Sequence, residues 1–175
     1  MRHRAPMLLW HCVAALLAAL LCAMPAAAQG PLAGIAEVAS SEQKPAPDPF
    51  GRETPRGLAT QLVSAFASGN YARAAEFLEA GSSNESAERR ATLARRLQQQ
   101  LDLSGSLSPF PALSNDAAGA RDDGLPIDQE RIGSFRSGSG ELPLIAHRLT
   151  PAGAAAYWVV SAASLAAIVE AEPAV

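Results

Sequence analysis

Several residue types with distinctive chemistry are scarce in this 175-residue sequence. Its two cysteines, Cys12 and Cys22, both lie near the start, lysine occurs once, at Lys44, and aromatic residues make up 5%. Basic and acidic side chains nearly balance, 14 against 17, which excludes the strongly basic composition of a nucleic-acid-binding protein. No phosphate-binding, dinucleotide-binding, nucleophile-elbow or zinc-ligand spacing occurs. The sequence therefore predicts no catalytic residue, no cofactor and no metal site.

The first 28 residues have the three-part pattern of a cleavable secretory signal. Two arginines near the start are followed by an apolar run over residues 7–22, broken only by one histidine, and then by Ala26 and Ala28 before Gln29. This order predicts cleavage between Ala28 and Gln29. The alternative is a retained membrane anchor, but the apolar run is shorter than the roughly 20 residues that cross a bilayer. We therefore expect removal of residues 1–28 and a periplasmic protein.

Removal of the signal changes the chemistry of the chain. Both cysteines lie within residues 1–28, so the mature chain has neither a disulfide nor a thiolate that could act as nucleophile or metal ligand. Its net charge is −5, because 12 basic residues remain against 17 acidic ones. Residues 29–47 are rich in proline and alanine and hold no aromatic side chain, which predicts a flexible tether before the folded part.

Helical signals dominate the next part of the chain. Thr54 is an N-cap candidate with Pro55 at the first helical position, and apolar residues then recur at helical spacing up to a stop at Gly69. A second, short helix over residues 70–81 would form a hairpin with the first. A longer third helix is predicted from residue 84 or 86 to residue 103, with leucine at every fourth position on one side.

Residues 104–130 are predicted to be a long connection, because they contain several prolines and glycines. Four apolar side chains in it are candidates for anchors into the core: Phe110, Leu113, Leu125 and Ile127. Two segments that read as strands follow, residues 131–136 and 141–149, and they are joined by a glycine-rich turn.

The last part of the chain predicts one more strand, over residues 156–160, and a closing helix capped by Ser161 or Ser164. The uncharged run over residues 150–169 is long enough for a membrane span, but Pro151, Gly153 and many small residues favour a strand and a short helix. We therefore expect no retained transmembrane helix. The expected fold is α+β: an N-terminal helix hairpin, a longer third helix, a small antiparallel sheet of about three strands and a short C-terminal helix, in a single domain over residues 48–172.

Three features are candidates for binding or chemistry. His147 is the single histidine of the mature chain, but no motif marks a carboxylate or nucleophile for it, so we interpret it as a half-exposed strand residue. The acidic stretch over residues 122–130 resembles part of a calcium loop, but apolar residues occupy its middle, which favours an Asx turn that leads into a strand. The third predicted helix carries four basic residues: Arg89, Arg90, Arg95 and Arg96. They either bind an anion or form a solvated face, and the nearby glutamates favour the solvated face.

Three segments, taken in order, resemble the extracytoplasmic N-terminal region of one branch of the small-conductance mechanosensitive (MscS-type) channel family. They are residues 48–57 followed by 69–75, residues 122–133 and residues 158–168, and the most specific is the Asp-Asp-Gly-Leu-Pro run of the second segment. The residues that carry the first two segments are Asp48, Pro49, Gly51, Arg52, Thr54, Pro55, Asp122, Asp123, Gly124, Leu125, Pro126, Asp128, Arg131 and Gly133. The resemblance implies that these residues serve the structure or an interaction.

The resemblance also implies a function. It indicates a non-catalytic periplasmic domain that contacts an envelope protein or other copies of itself. Such channels conduct through a pore helix and a cytoplasmic domain that would follow residue 175, so we expect this chain to be a truncated product, a fragment or a stand-alone domain, unable to conduct ions alone. The alternative is a stand-alone module of NTF2-like type that binds a small ligand in a pocket under its sheet. An envelope hydrolase would require His147 beside a carboxylate and a serine.

Overall fold

A computed structural model describes residues 46–81, 84–138 and 140–171 of the chain. The predicted cleavage site at Ala26, Ala28 and Gln29 and most of the predicted tether lie outside the described residues. Within them, no helix has the length and apolar character that a membrane span requires. The elements are helices α1 (Pro55–Ala67), α2 (Tyr71–Ala75) and α3 (Ala87–Ser104), strand β1 (Gly105–Leu107), a 3-10 turn (Phe110–Ala112), strands β2 (Gln129–Ser137), β3 (Gly140–Leu149) and β4 (Tyr157–Val160), and helix α4 (Ala162–Glu170).

Side-chain caps set where the helices begin. Thr54 has extended backbone, and its hydroxyl accepts a hydrogen bond from the Gly57 N–H at 2.9 Å. Asn70 and Ser86 cap α2 and α3 in the same way, at 2.9 and 3.2 Å, and Ser161 caps α4 at 3.2 Å. Each cap satisfies an N–H that the first turn of a helix leaves without a partner. The predicted starts of all four helices are confirmed.

Helix α2 is shorter than the predicted helix over residues 70–81. The chain leaves the helix after Ala75 and then lies parallel to β4, where a bridge pairs Leu78 with Val160. The Glu79 N–H donates to the Val160 carbonyl at 2.9 Å. The prediction was wrong because the apolar residues of this segment can be buried in either conformation, and pairing satisfies backbone groups at an edge of the sheet that would otherwise have no partner.

Four strands, one more than predicted, form an antiparallel sheet in the order β1-β2-β3-β4. The additional strand, β1, lies inside the predicted long connection and pairs Leu107 with Gly133. A Gly-Ser-Leu strand has little β-propensity of its own, so its position beside β2 decides its conformation. The predicted hairpin of β2 and β3 is confirmed, and its register runs from Gln129 opposite His147 to the turn. The fold is α+β, as the sequence predicts.

The core lies between the sheet and the helices, and α4 contributes to it as α1 to α3 do. Of the predicted anchors in the long connection, Leu113 is buried at 2% exposure and Leu125 is half-buried. Phe110 and Ile127 are 40% and 70% exposed, contrary to the prediction. The Gln129 N–H donates to the Pro126 carbonyl, so Ile127 lies in a turn before the strand begins and is not held by the alternation of β2. The largest fully buried side chains include Trp158, Phe77, Phe135, Leu58, Leu62, Leu97, Ile132 and Leu144.

Candidate functional site

The first motif, residues 48–55, is organised by the Asp48 carboxylate. It accepts hydrogen bonds from the backbone N–H groups of Arg52, at 2.9 Å, and Phe50, at 3.2 Å. It also forms an ion pair with the Arg52 guanidinium at 2.8 Å. The side chains of Arg52 and Asp48 are 9% and 4% exposed, so the pair is shielded from water. A buried ion pair persists where hydrogen bonds satisfy both partners, as they do here.

The charge of Asp48 is stabilised by its partner. Burial raises the pKa of Asp48, but hydrogen bonds from the Arg52 side chain and backbone, together with the charge of the guanidinium, outweigh burial and lower the pKa below its ordinary value. The carboxylate is therefore ionised at neutral pH, and the pair is a charged one.

Arg52 joins three parts of the fold. Its guanidinium donates to the Glu76 carbonyl just after α2 and lies 4.0 Å from the centroid of the Tyr157 ring and 4.8 Å from that of Phe50. Its backbone carbonyl accepts a hydrogen bond from the Trp158 N–H at 2.8 Å. The first motif therefore fixes the chain before α1 against the end of α2 and the start of β4.

Other residues of the first motif form the turn before α1 and the start of that helix. Gly51 has a φ of 71°, a left-handed conformation that favours glycine. Thr54 and Pro55 start the helix, and Pro55 is buried. Pro49 is exposed. Asp48, Gly51, Arg52, Thr54 and Pro55 therefore have structural roles.

The second motif, residues 122–133, begins with an exposed loop. The Asp123 carboxylate accepts a hydrogen bond from the Leu125 N–H at 3.0 Å, which is the predicted Asx turn, and Gly124 follows with a φ of 75°. Asp122, Asp123, Gly124 and Pro126 are all exposed. Among the described residues, no group of three or more His, Cys, Asp or Glu side chains is arranged so that it could hold a metal ion.

The end of the second motif enters the sheet. The Asp128 carbonyl accepts a hydrogen bond from the Arg148 N–H of β3 at 2.8 Å, and Arg131 is exposed. Gly133 is buried, and a Cβ atom there would collide with the Ser106 carbonyl oxygen of β1. Gly133 is therefore required by the close approach of the strand that the sequence did not predict.

Glu130, which sequence reasoning missed, is a buried acid at 3% exposure. One carboxylate oxygen accepts the Ser114 N–H and the other the Ala120 N–H, each at 2.8 Å. In the loop between them, the Ala117 carbonyl accepts the indole N–H of Trp158 at 3.2 Å. Glu130 thus holds the long connection against the sheet. Strand alternation, which places Glu130 on the face of Ile132, was the one signal that could have found it.

His147 lies between two carboxylates that no motif marked. Its Nδ1 is 3.1 Å from Glu79 Oε1 and its Nε2 is 3.5 Å from Asp128 Oδ2. The side chain is 29% exposed, in agreement with a half-exposed strand residue. The other oxygen of Glu79 accepts the Ala162 N–H of α4 at 2.7 Å. The sequence could not reveal this cluster because its members come from three separate segments.

The cluster has no nucleophile in contact with the histidine among the described residues. The hydroxyls of Ser161 and Ser164 lie 3.1 Å apart, and Ser164 Oγ also accepts the Ile145 N–H at 2.9 Å. These serines stabilise the start of α4. The arrangement can hold the imidazole and its protons in place, but it does not present an activated hydroxyl.

The arginines of α3 are mostly engaged within the protein. Arg90 donates to the Ala75 carbonyl at 2.5 Å, and Arg96 donates to a carbonyl of α4 at 2.6 Å. Arg95 lies over the Tyr71 ring, 4.6 Å from its centroid. The prediction of a solvated face is wrong for Arg90, which is half-buried. The other three arginines are exposed, although Arg95 and Arg96 also contact the protein.

A groove of about 350 Å³ lies between α1, α3 and β1. Most of its walls are apolar, and Gln98 contributes a buried side-chain oxygen that has no hydrogen-bond partner within the described residues. The groove lies beside the edge strand. Under the sheet itself, Ile132, Leu144 and Trp158 are fully buried, so side chains fill the place where an NTF2-like pocket would be.

Comparisons of the chain with known protein families, curated proteins and solved structures found no match. The resemblance to the MscS-type family therefore rests on the sequence segments alone. The geometry adds a structural role for some residues of those segments, such as Asp48, Arg52 and Gly133.

Proposed function

We propose that this chain is a non-catalytic periplasmic domain of an MscS-type channel relative. It acts through contacts with an envelope protein or with other copies of itself, and it does not conduct ions alone. Three segments that resemble the family in the same order support this proposal. The domain would reach the periplasm through the signal at residues 1–28.

The observation that carries the contact role is the division of the motif residues into two groups. One group builds the fold, as the contacts of Asp48, Arg52 and Gly133 illustrate. The other group lies on the loop over residues 121–127, which we term the acidic loop and in which every residue except the half-buried Leu125 is exposed. Ile127, in the same loop, is 70% exposed. Surface loops on a rigid scaffold are frequent sites of binding, and a partner that contacts this loop would cover Ile127.

Site-specific photo-crosslinking in cells tests the contact role. Ile127→p-benzoylphenylalanine in the full chain, with its signal, is expected to give a crosslinked product that mass spectrometry identifies as an MscS-type channel subunit or a second copy of this chain. The same photoreactive residue at Ala163, which is exposed on α4, is the matched control. Equal crosslinking at both positions, or none at Ile127, would contradict the proposal.

The gene offers an independent test of the family assignment. We expect the DNA after codon 175 to encode hydrophobic helices, either directly or after a frameshift. A stop codon followed by an unrelated gene would contradict the truncated or fragment form of the proposal and leave the stand-alone domain.

The alternative function, binding of a small ligand, is favoured by one observation, the apolar groove with a Gln98 oxygen that has no hydrogen-bond partner among the described residues. A small apolar molecule with an N–H donor fits this lining. The test is the fluorescence of 8-anilinonaphthalene-1-sulfonate with the folded chain. Binding that Val63→Trp abolishes would support the alternative, whereas no binding to the original chain would contradict it.

A further inference from the structure

A groove follows one side of helix α3 and reaches Ala171, just after α4. Its volume is about 350 Å³, and its lining on α3 runs from Thr92 to Leu103, which is about 16 Å of helix at a rise of about 1.5 Å per residue. It shares no lining residue with the groove beside β1. We term it the α3 groove. It has room for a molecule much longer than a simple ion.

Two guanidinium groups border the α3 groove, and no carboxylate does. Arg95 and Arg96 belong to its lining, which contains neither Asp nor Glu. The positions three and four residues before and after each arginine, which are its neighbours on the helix surface, hold no acid either. The acids of α3 and α4 lie outside the lining: Glu88, Asp102 and Glu170. Within the part of the chain that the structure describes, neither arginine forms an ion pair, so the groove is positively charged.

Contacts with the fold restrict both arginine side chains but use few of their donors. Arg96 donates one hydrogen bond, from Nη2 to the Val169 carbonyl at 2.6 Å, and the Arg95 guanidinium lies over the Tyr71 ring, 4.6 Å from its centroid. A guanidinium carries five N–H donors in a planar arrangement that matches a carboxylate or a phosphate. Most of these donors therefore remain for an oxyanion, and restrained side chains lose less conformational entropy when they bind it.

The far end of the groove is apolar. Leu103, about two turns after Arg96, borders the groove and is 63% exposed, and Ala171 belongs to the same lining. The carbon stem of Arg96 adds apolar surface. Covering Leu103 would remove apolar surface from water, which favours binding. Because an oxyanion alone would leave Leu103 uncovered, the lining fits an anion that carries an apolar chain.

We propose that the α3 groove binds an amphiphile with an oxyanion head, a carboxylate or a phosphate, and a single apolar chain. The head contacts Arg95 and Arg96, and the chain covers Leu103. A volume of about 350 Å³ is at the small end of the range for ligand sites, so the groove accepts one chain. This site does not depend on a protein partner of the acidic loop, and its failure would leave the contact role untouched.

NMR titration of the exported protein with sodium decanoate, at concentrations where the acid is monomeric, tests the site. We expect saturable shifts of the backbone amide signals of Gln99, Leu103 and Ala171. Decanol, which has the same chain and no charge, should bind about tenfold more weakly, since a hydrogen bond to a charged group contributes at least about that factor. Equal affinity for decanol, or no saturable shift at these residues, would overturn the proposal.

Matched variants separate the groove from the general charge of the helix. Arg95→Gln should weaken decanoate binding about tenfold, and Leu103→Gln should weaken it about threefold or more, because it removes the apolar contact. The control Arg89→Gln removes the same charge from an exposed residue of α3 outside the lining and should leave the affinity within about twofold. Glu172→Gln, which removes the acid that follows Ala171, should not weaken binding. An equal loss in Arg89→Gln would overturn the proposal, and unchanged amide spectra of the variants establish that they are folded.

Two further probes distinguish the sources of such an anion. Inorganic phosphate should bind far more weakly than decanoate, and equal affinities would overturn the requirement for an apolar chain. Sedimentation with phosphatidylglycerol vesicles that Arg95→Gln weakens would support a bilayer lipid as the source. Binding of decanoate without sedimentation with the vesicles would support a free acid.

Discussion

Replacement of Arg52 by alanine is the most direct test of the structural role of the first motif. The change removes the ion-pair partner of Asp48, whose side chain is 4% exposed, and leaves a charge buried without compensation. Breaking such a pair costs about 3–5 kcal/mol. A domain of this size has a free energy of unfolding of roughly 5–15 kcal/mol, so the loss is a large fraction of the total. We expect Arg52→Ala to lower the free energy of unfolding by about 3 kcal/mol or more.

Urea unfolding followed by fluorescence measures this loss. Trp158 is the only tryptophan after residue 28, and its backbone N–H donates to the Arg52 carbonyl, so in a chain without residues 1–28 its fluorescence reports this region directly. The matched control is Arg131→Ala, which removes an exposed motif arginine and should change the stability by no more than about 0.5 kcal/mol. The Asp48→Ala, Arg52→Ala double variant should lose less than the two single losses combined. A loss below about 1 kcal/mol for Arg52→Ala would refute this reasoning.

Three further predictions address other parts of the chain. The pKa of Asp48 is lowered in the folded chain, so the stability that this acid adds should be present above about pH 4 and lost as the pH falls through the folded-state pKa. In urea unfolding at a series of acidic pH values, Asp48→Asn should remove this part of the dependence of the free energy of unfolding on pH. Gly133→Ala should lower the free energy of unfolding by about 1–3 kcal/mol, because the added Cβ would collide with β1. The control Gly138→Ala should leave the free energy of unfolding almost unchanged, because its Cβ would meet no atom within 4 Å. Equal losses in the two variants would contradict the argument that β1 approaches Gly133 closely. Mass spectrometry of the exported protein should find Gln29 at the N-terminus, and a mature chain that retains residues 1–28 would contradict the signal prediction.

Features that depend on local sequence could be predicted. Thr54, Asn70, Ser86 and Ser161 each satisfy an N–H within their own helix, so the starts of the helices were visible without knowledge of the fold. The Asx turn at Asp123 is equally local. Alternation and β-branched residues likewise indicated the β2–β3 hairpin and β4.

Features that depend on distant partners could not be predicted. The segment around Leu78 is extended because it lies beside β4, and β1 is a strand because it lies beside β2. Neither segment has a periodicity that distinguishes a strand from a helix or a loop. The same limit applied to the polar contacts, since the partners of His147 and Glu130 come from other segments of the chain.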